Sequence, residues 1–289
     1  MIQSARQKRK KRQDIMGIIG IVGLLFLGAG GVIFIQSNND PLDEYQCSIK
    51  NGPNAVTAII FDKSDSYNKD QIADIKTSFN LWLSGNEATT KNRKIDLDFF
   101  KEGNLVQLYV IDENNLNLSD VLKPEAQLCV PKDFRDANIW VENQAFLKAD
   151  YDNFISTFSS IIEGLLDKSD DRSPIMETIV RLSNSESFQN HPDVPHNIFL
   201  VSDMVQYSDN WDQIYNREGN NWDDFSNEMK GTVYMNLRLN EVQVQVFYAK
   251  RKNYKSIQTT SHAQFWVEFF KNAGANISEP DDSWVLIDG

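Results

Sequence analysis

Asp62, Ser64 and Ser66 follow one another as D-x-S-x-S at the end of an apolar run. One carboxylate and two hydroxyls leaving a single turn are hard oxygen donors, suited to Mg²⁺ or Mn²⁺. Acids and hydroxyls are common in loops, so the triplet needs ligands from elsewhere in the chain before it defines a site. Asp203 offers one, because it closes a second apolar run, NIFLVS at 197–202. Ser173 offers a further hydroxyl just ahead of Pro174, although a serine before a proline at a helix start ordinarily serves as an N-cap. Cys47 and Cys129 show neither C-x-x-C spacing nor a neighbouring His/Cys cluster, which argues against zinc. They either pair, closing a loop worth roughly 4 kcal/mol in the chain-entropy model, or remain separate buried thiols. His191, His196 and His262 lie in a loop or before a helical pattern, where surface or capping roles are expected, and no G-x-S-x-G elbow is present.

Placing Asp62 and Asp203 side by side requires two strands of one parallel sheet. The run AVTAIIFD at 55–62 is apolar and β-branched up to its terminal acid, as expected of a strand buried on both faces. Ligand sites of open α/β sheets lie at the C-terminal strand edge. Ile72, Ile75 and Phe79 mark one stripe of a helix over 68–83, whose N-terminal amides would lie beside the serine loop. Residues 94–100 and 105–111 read as two strands of a hairpin. The Pro- and Asn-containing stretch 112–143 reads as irregular, a length that in a compact domain is often functional. Helices are expected over 145–166 and from 174 to 182, a loop with a short helix over 204–231, strands at 241–249 and 283–287, and a helix at 262–273. The aromatic stripe of 145–166 is expected to be core. The resulting order, β-α-β-β-α-α-β-α-β-α-β, predicts a three-layer α/β sandwich with a mostly parallel sheet.

On Asp62-x-Ser64-x-Ser66, Ser173 and Asp203, in that order and on those elements, residues 55–289 resemble a von Willebrand factor A (vWA) domain carrying a metal-ion-dependent adhesion site (MIDAS). The resemblance implies that Ser64 and Ser66 ligate a divalent cation, Mg²⁺ or Mn²⁺. Ser173 would bind it directly or through water, and Asp62 and Asp203 would hold coordinated waters. An open position on the cation would take an acidic group from a protein partner. Two departures stand out: serine replaces the family's threonine at 173, and Met204 follows Asp203 where the family often has glycine.

The N-terminus is of another character. Residues 1–14 carry six Lys/Arg and one Asp, and 15–35 are uncharged. Twenty-one residues span roughly 31 Å as a helix, which matches a hydrocarbon core. An uncleaved single-pass anchor is favoured over a cleaved signal peptide because the apolar run continues to Ile35. Basic residues stay cytoplasmic, so 1–14 is expected inside, 36–54 forms a linker, and the vWA-like region lies in the periplasm or outside the cell. The chain carries −12 and its first fourteen residues +5, leaving −17 for the remainder, a charge that disfavours nucleic acid. The expected function is a membrane-anchored, non-enzymatic binding module in an envelope complex. The alternatives are a metal-dependent hydrolase and a structural subunit whose site is unused.

Overall fold

The computed structural model describes residues 41–64, 66–83, 89–90, 93–94, 97–138, 142–166, 170–215, 219–280 and 284–287. The expected membrane helix 15–35 and tail 1–14 lie outside these residues. Among those described, no helix is long and apolar enough to cross a membrane. Residues 43–47 and 51–289 form one compact unit.

Its centre is β1 (Val56–Asp62), followed by α1 (Lys69–Leu83), β2 (Leu105–Ile111), β3 (Ala126–Cys129), α2 (Gln144–Leu166), α3 (Ile175–Ser183), α4 (Glu186–Asn190) and β4 (His196–Ser202). Next come α5 (Trp222–Glu228), β5 (Gln243–Ala249), α6 (Thr260–Asn272), β6 (Asn276–Ile277) and β7 (Val285–Ile287). The sheet order is β3-β2-β1-β4-β5, with β6 and β7 both paired to β5. Within this sheet the pairings are parallel except β3 on β2, and residues 89–90 and 93–94 form a separate antiparallel pair. Alternation along β1 builds two cores. Ile59 and Phe61 join Ile75 and Phe79 of α1 and Phe154 and Phe158 of α2, whereas Ala58 and Ile60 join Ile175 and Ile179 of α3 and Trp266 and Phe270 of α6. Helices on both faces make the expected three-layer, mostly parallel α/β sandwich.

The expected hairpin is not formed. Leu105–Ile111 is entirely buried and lies parallel to β1, in register from Val56 opposite Leu105 to Asp62 opposite Ile111. Its other neighbour is β3, drawn from the stretch expected to be irregular. Residues 97–100 are instead a 3₁₀ turn. The Phe99 carbonyl accepts from Thr57 Oγ1 (2.8 Å) and Asn104 Nδ2 (3.3 Å), and the Phe99 and Phe100 rings each lie 6.3 Å from that of Phe199. Side-chain donors thus hold a backbone group that a strand would have used, and the rings sit on the sheet rather than beside it. Cys47 and Cys129 are disulfide-bonded across 82 residues, tying the segment before β1 to the end of β3.

Candidate metal centre

The parallel register sets Asp62 level with Ile111 of β2, and Phe61 level with Val201 of β4, so Asp62 and Ser202 reach the same edge. Ser202 is in turn opposite Tyr248 of β5. The site residues expected from the sequence lie in the loops that follow β1 and β4 and in the approach to α3, with Asp112 after β2 and Arg251 after β5 at the same edge.

Asp62 is 2 % exposed. Its Oδ1 accepts from the Ser64 amide (2.9 Å), and its Oδ2 accepts from the hydroxyls of Ser202 (2.6 Å) and Ser173 (3.1 Å). Burial pushes its pKa above the usual carboxylate range, opposed by the hydrogen bonds from Ser202 and Ser64 and by the charge of Arg251. Ser173 is therefore no N-cap: α3 begins after Pro174 with no side-chain cap, and the serine hydroxyl turns to Asp62 instead. Two backbone hydrogen bonds with Tyr207, 3.0 Å each way, fix it there. Tyr207 belongs to a loop wrapped around the buried carboxylate of Glu177, which accepts from Ser208 Oγ (2.7 Å), Gln206 Nε2 (2.9 Å), Asn210 Nδ2 (2.9 Å) and Tyr234 OH (3.1 Å).

Ser64, Ser66 and Ser173 line one cleft of about 570 Å³, together with Asp170, Asp171, Tyr207, Tyr215 and Tyr254. Asp170 is drawn to β1 by its backbone N–H to the Lys63 carbonyl (3.1 Å) and by its ion pair with Lys63 (3.1 Å). The four residues Asp62, Ser64, Ser66 and Ser173 are thus brought together. Their donors fit a hard divalent cation better than a soft one. Among the described residues, no three His, Cys, Asp or Glu side chains are grouped so as to hold a metal ion, so a cation here would depend on the hydroxyls.

Asp203 is at the expected strand end, 1 % exposed, but its carboxylate is engaged by protein groups. Oδ1 accepts from the Val205 amide (2.9 Å) and Oδ2 from Arg251 Nε (3.2 Å). The next residue, Met204, has φ 61°, a left-handed backbone that glycine adopts freely and other residues at a cost. Its surroundings hold it there. Met204 N–H donates to Ser202 Oγ (2.7 Å), and its carbonyl accepts from His262 Nε2 (2.9 Å) and Trp266 Nε1 (2.6 Å). Since Met204 O only accepts, His262 carries its proton on Nε2 and receives the Tyr248 hydroxyl at Nδ1 (2.7 Å). His262 is fully buried, contrary to the surface or capping role expected for it, and burial lowers its pKa to about 4.

Four residues of this edge escaped sequence reading: Ser202, Tyr67, Arg251 and Gln258. Tyr67 OH donates to the Asp62 carbonyl (2.7 Å), and Gln258 Nε2 donates to the Asp203 carbonyl (3.0 Å). The one available signal was the pair Lys250-Arg251 at the end of a strand that aims at the same edge.

No family model matches the chain, and no curated protein does. Solved structures resemble it with low similarity scores. An aerotolerance-related membrane protein of Bacteroides fragilis with multiple mutations to serines is 12% identical with a TM-score of 0.38, over 81% of this chain and 92% of that one. The VWA domain of SpRpn10 is 13% identical with a TM-score of 0.33, over 81% and 87%. The human COPII-coat protein Sec24c is 11% identical with a TM-score of 0.37, over 84% of this chain and 30% of its own. At such TM-scores and identities, function is left to the chain's own geometry.

Proposed function

We propose that this chain is a membrane-anchored, vWA-like binding module that captures a protein partner at the Ser64, Ser66 and Ser173 cleft through a divalent cation. The observation that carries the reading is the convergence of three hydroxyls from two distant segments on one cleft, with the Ser173 hydroxyl bonded to the buried Asp62. Ser64, Ser66 and Ser173 would hold Mg²⁺ or Mn²⁺, with Asp62 and Asp203 behind them. When bound, the cation supplies positive charge and an exchangeable position for a carboxylate of the partner. A domain of formal charge −17 gains in this way a means of docking an acidic surface that it would otherwise repel. Tyr207, Tyr215 and Tyr254 on the cleft wall suit protein contact, since tyrosine is enriched in interface cores.

The apolar residues 15–35 supply the anchor, and the Cys47–Cys129 disulfide supports a location on the oxidising side of the membrane, as part of an envelope complex. The test uses the full-length protein in detergent. Mn²⁺ binding is measured directly by calorimetry, and partner capture from solubilised membranes is compared in Mg²⁺ and in chelator. Asp62→Asn and Ser173→Ala are expected to lose the cation, and capture with it. Undiminished capture in chelator would overturn the proposal.

A further inference from the structure

Arg251 lies where two separate parts of the site meet. On one side its Nε donates to Asp203 Oδ2 at 3.2 Å. On the other its Nη1 donates to the Ser66 carbonyl at 2.7 Å and to Gln71 Oε1 at 3.4 Å, while the guanidinium lies 4.2 Å from the centre of the Tyr67 ring. Three of these partners are anchored in turn. Gln71 caps α1 reciprocally with Asn68, accepting from the Asn68 amide (3.2 Å) while Asn68 Oδ1 accepts from that of Gln71 (2.9 Å), and Gln71 Nε2 donates to the Lys250 carbonyl (2.8 Å). Tyr67 is bonded to the Asp62 carbonyl. The Arg251 amide donates to Gln258 Oε1 (2.6 Å), and Gln258 also holds the Asp203 carbonyl.

The side chains of Arg251 and Asp203 are 9 % and 1 % exposed. A carboxylate this deeply buried must be compensated by positive charge or by hydrogen bonds. Arg251 does so while joining the serine loop to the end of β4, and Asp203 at that end is one of the two carboxylates placed behind the cation in the reading above. We infer that Arg251 is a tethered counter-ion of the centre. Its guanidinium supplies at Asp203 the positive charge that a divalent cation would bring, so arginine and cation compete for one carboxylate. The inference rests on the metal reading above and adds to it the residue that sets cation affinity. It makes the site a weak binder, responsive to cation concentration, that gains affinity when the arginine swings away.

The experiment is calorimetric titration of Mn²⁺ into the full-length, detergent-solubilised wild type, Arg251→Gln, Arg251→Lys and Asp62→Asn. Arg251→Gln is expected to bind Mn²⁺ about tenfold tighter or more, the scale of changes made around a metal's ligands. Arg251→Lys keeps the charge and is expected to stay close to wild type, and Asp62→Asn to lose binding. Equal or weaker binding by Arg251→Gln, with wild-type binding intact, would overturn the competition and leave the metal reading standing. No binding by wild type or any variant would overturn both. Should Arg251→Gln fail to fold, the wild type decides alone. Titration with Mg²⁺ must displace the Arg251 Nε–H resonance, assigned by its loss in Arg251→Lys, and an unmoved resonance at saturating Mg²⁺ would sink the inference.

Discussion

Acidification is expected to loosen the C-terminal edge of the sheet from beneath through His262. This imidazole is fully buried, neutral, and committed at both nitrogens, to Met204 O and to the Tyr248 hydroxyl. Its folded pKa of about 4 is below the ordinary 6.5, so between those values the unfolded chain binds the extra proton. Stability from this group is therefore complete above pH 6.5 and falls as the pH drops toward 4. The gap corresponds to about 3 kcal/mol in full, and to about 2 kcal/mol already at pH 5. Asp62 works with the opposite sign. Its folded pKa is raised by burial, so the folded protein takes up a proton first and acid stabilises it through this residue. The two contributions are separated by comparing urea midpoints of wild type and His262→Gln at pH 7.5 and pH 5. The variant is expected to be less stable at pH 7.5 and to lose about 2 kcal/mol less than wild type on acidification. Identical pH slopes in the two proteins would refute the assignment of the proton to His262.

Three further outcomes are expected. Opening the Cys47–Cys129 bond, by reductant or by paired serine substitution, should cost about 4.5 kcal/mol for an 82-residue closure in the chain-entropy model, read as a lowered denaturation midpoint; an unchanged midpoint would contradict it. Ser173→Ala removes the hydroxyl that donates to the buried Asp62 carboxylate and should cost about 1 kcal/mol in chemical denaturation, whereas a neutral effect would mean the bond to Asp62 contributes nothing. Gly274→Ala should destabilise by about 1 kcal/mol because Gly274 ends α6 with φ +85° in a Schellman turn. There the Gly274 amide donates to the Lys271 carbonyl and the Ala275 amide to that of Phe270, both at 3.0 Å; a thermal midpoint equal to wild type would count against the strain.

Much of the sheet edge is legible in the chain. Strands 55–62 and 197–202 are apolar up to their last residues because they are buried on both faces, and the acid or serine at each end marks where the sheet stops. The hairpin over 94–111 is not formed because residues 97–100 turn as a 3₁₀ helix, and the apolar run 105–111 is buried on both faces, as in a parallel strand. Leu105–Ile111 found its neighbour in β1, about fifty residues upstream, and its second neighbour in a stretch whose Pro124 and Pro131 suggested loop. Ser173 illustrates a different gap. Its residue type and place before a proline fit a cap as well as a ligand, and its bond to Asp62, 111 residues away, is what removes the cap.

From the amino-acid order alone come the identities of the oxygen donors, the amphipathic helices that cover the sheet, the basic tail with its apolar run, and the strongly acidic remainder. These follow from local spacing and composition, which do not depend on what the chain later meets. Tertiary structure decided the rest. It turned Ser173 toward Asp62, buried His262 under Met204, closed Cys47 onto Cys129, and set Arg251, 185 residues from Ser66, between the serine loop and Asp203. Each is a long-range contact whose partner is chosen by strand order and by the need to satisfy buried polar groups. A single chain's local pattern cannot encode such choices.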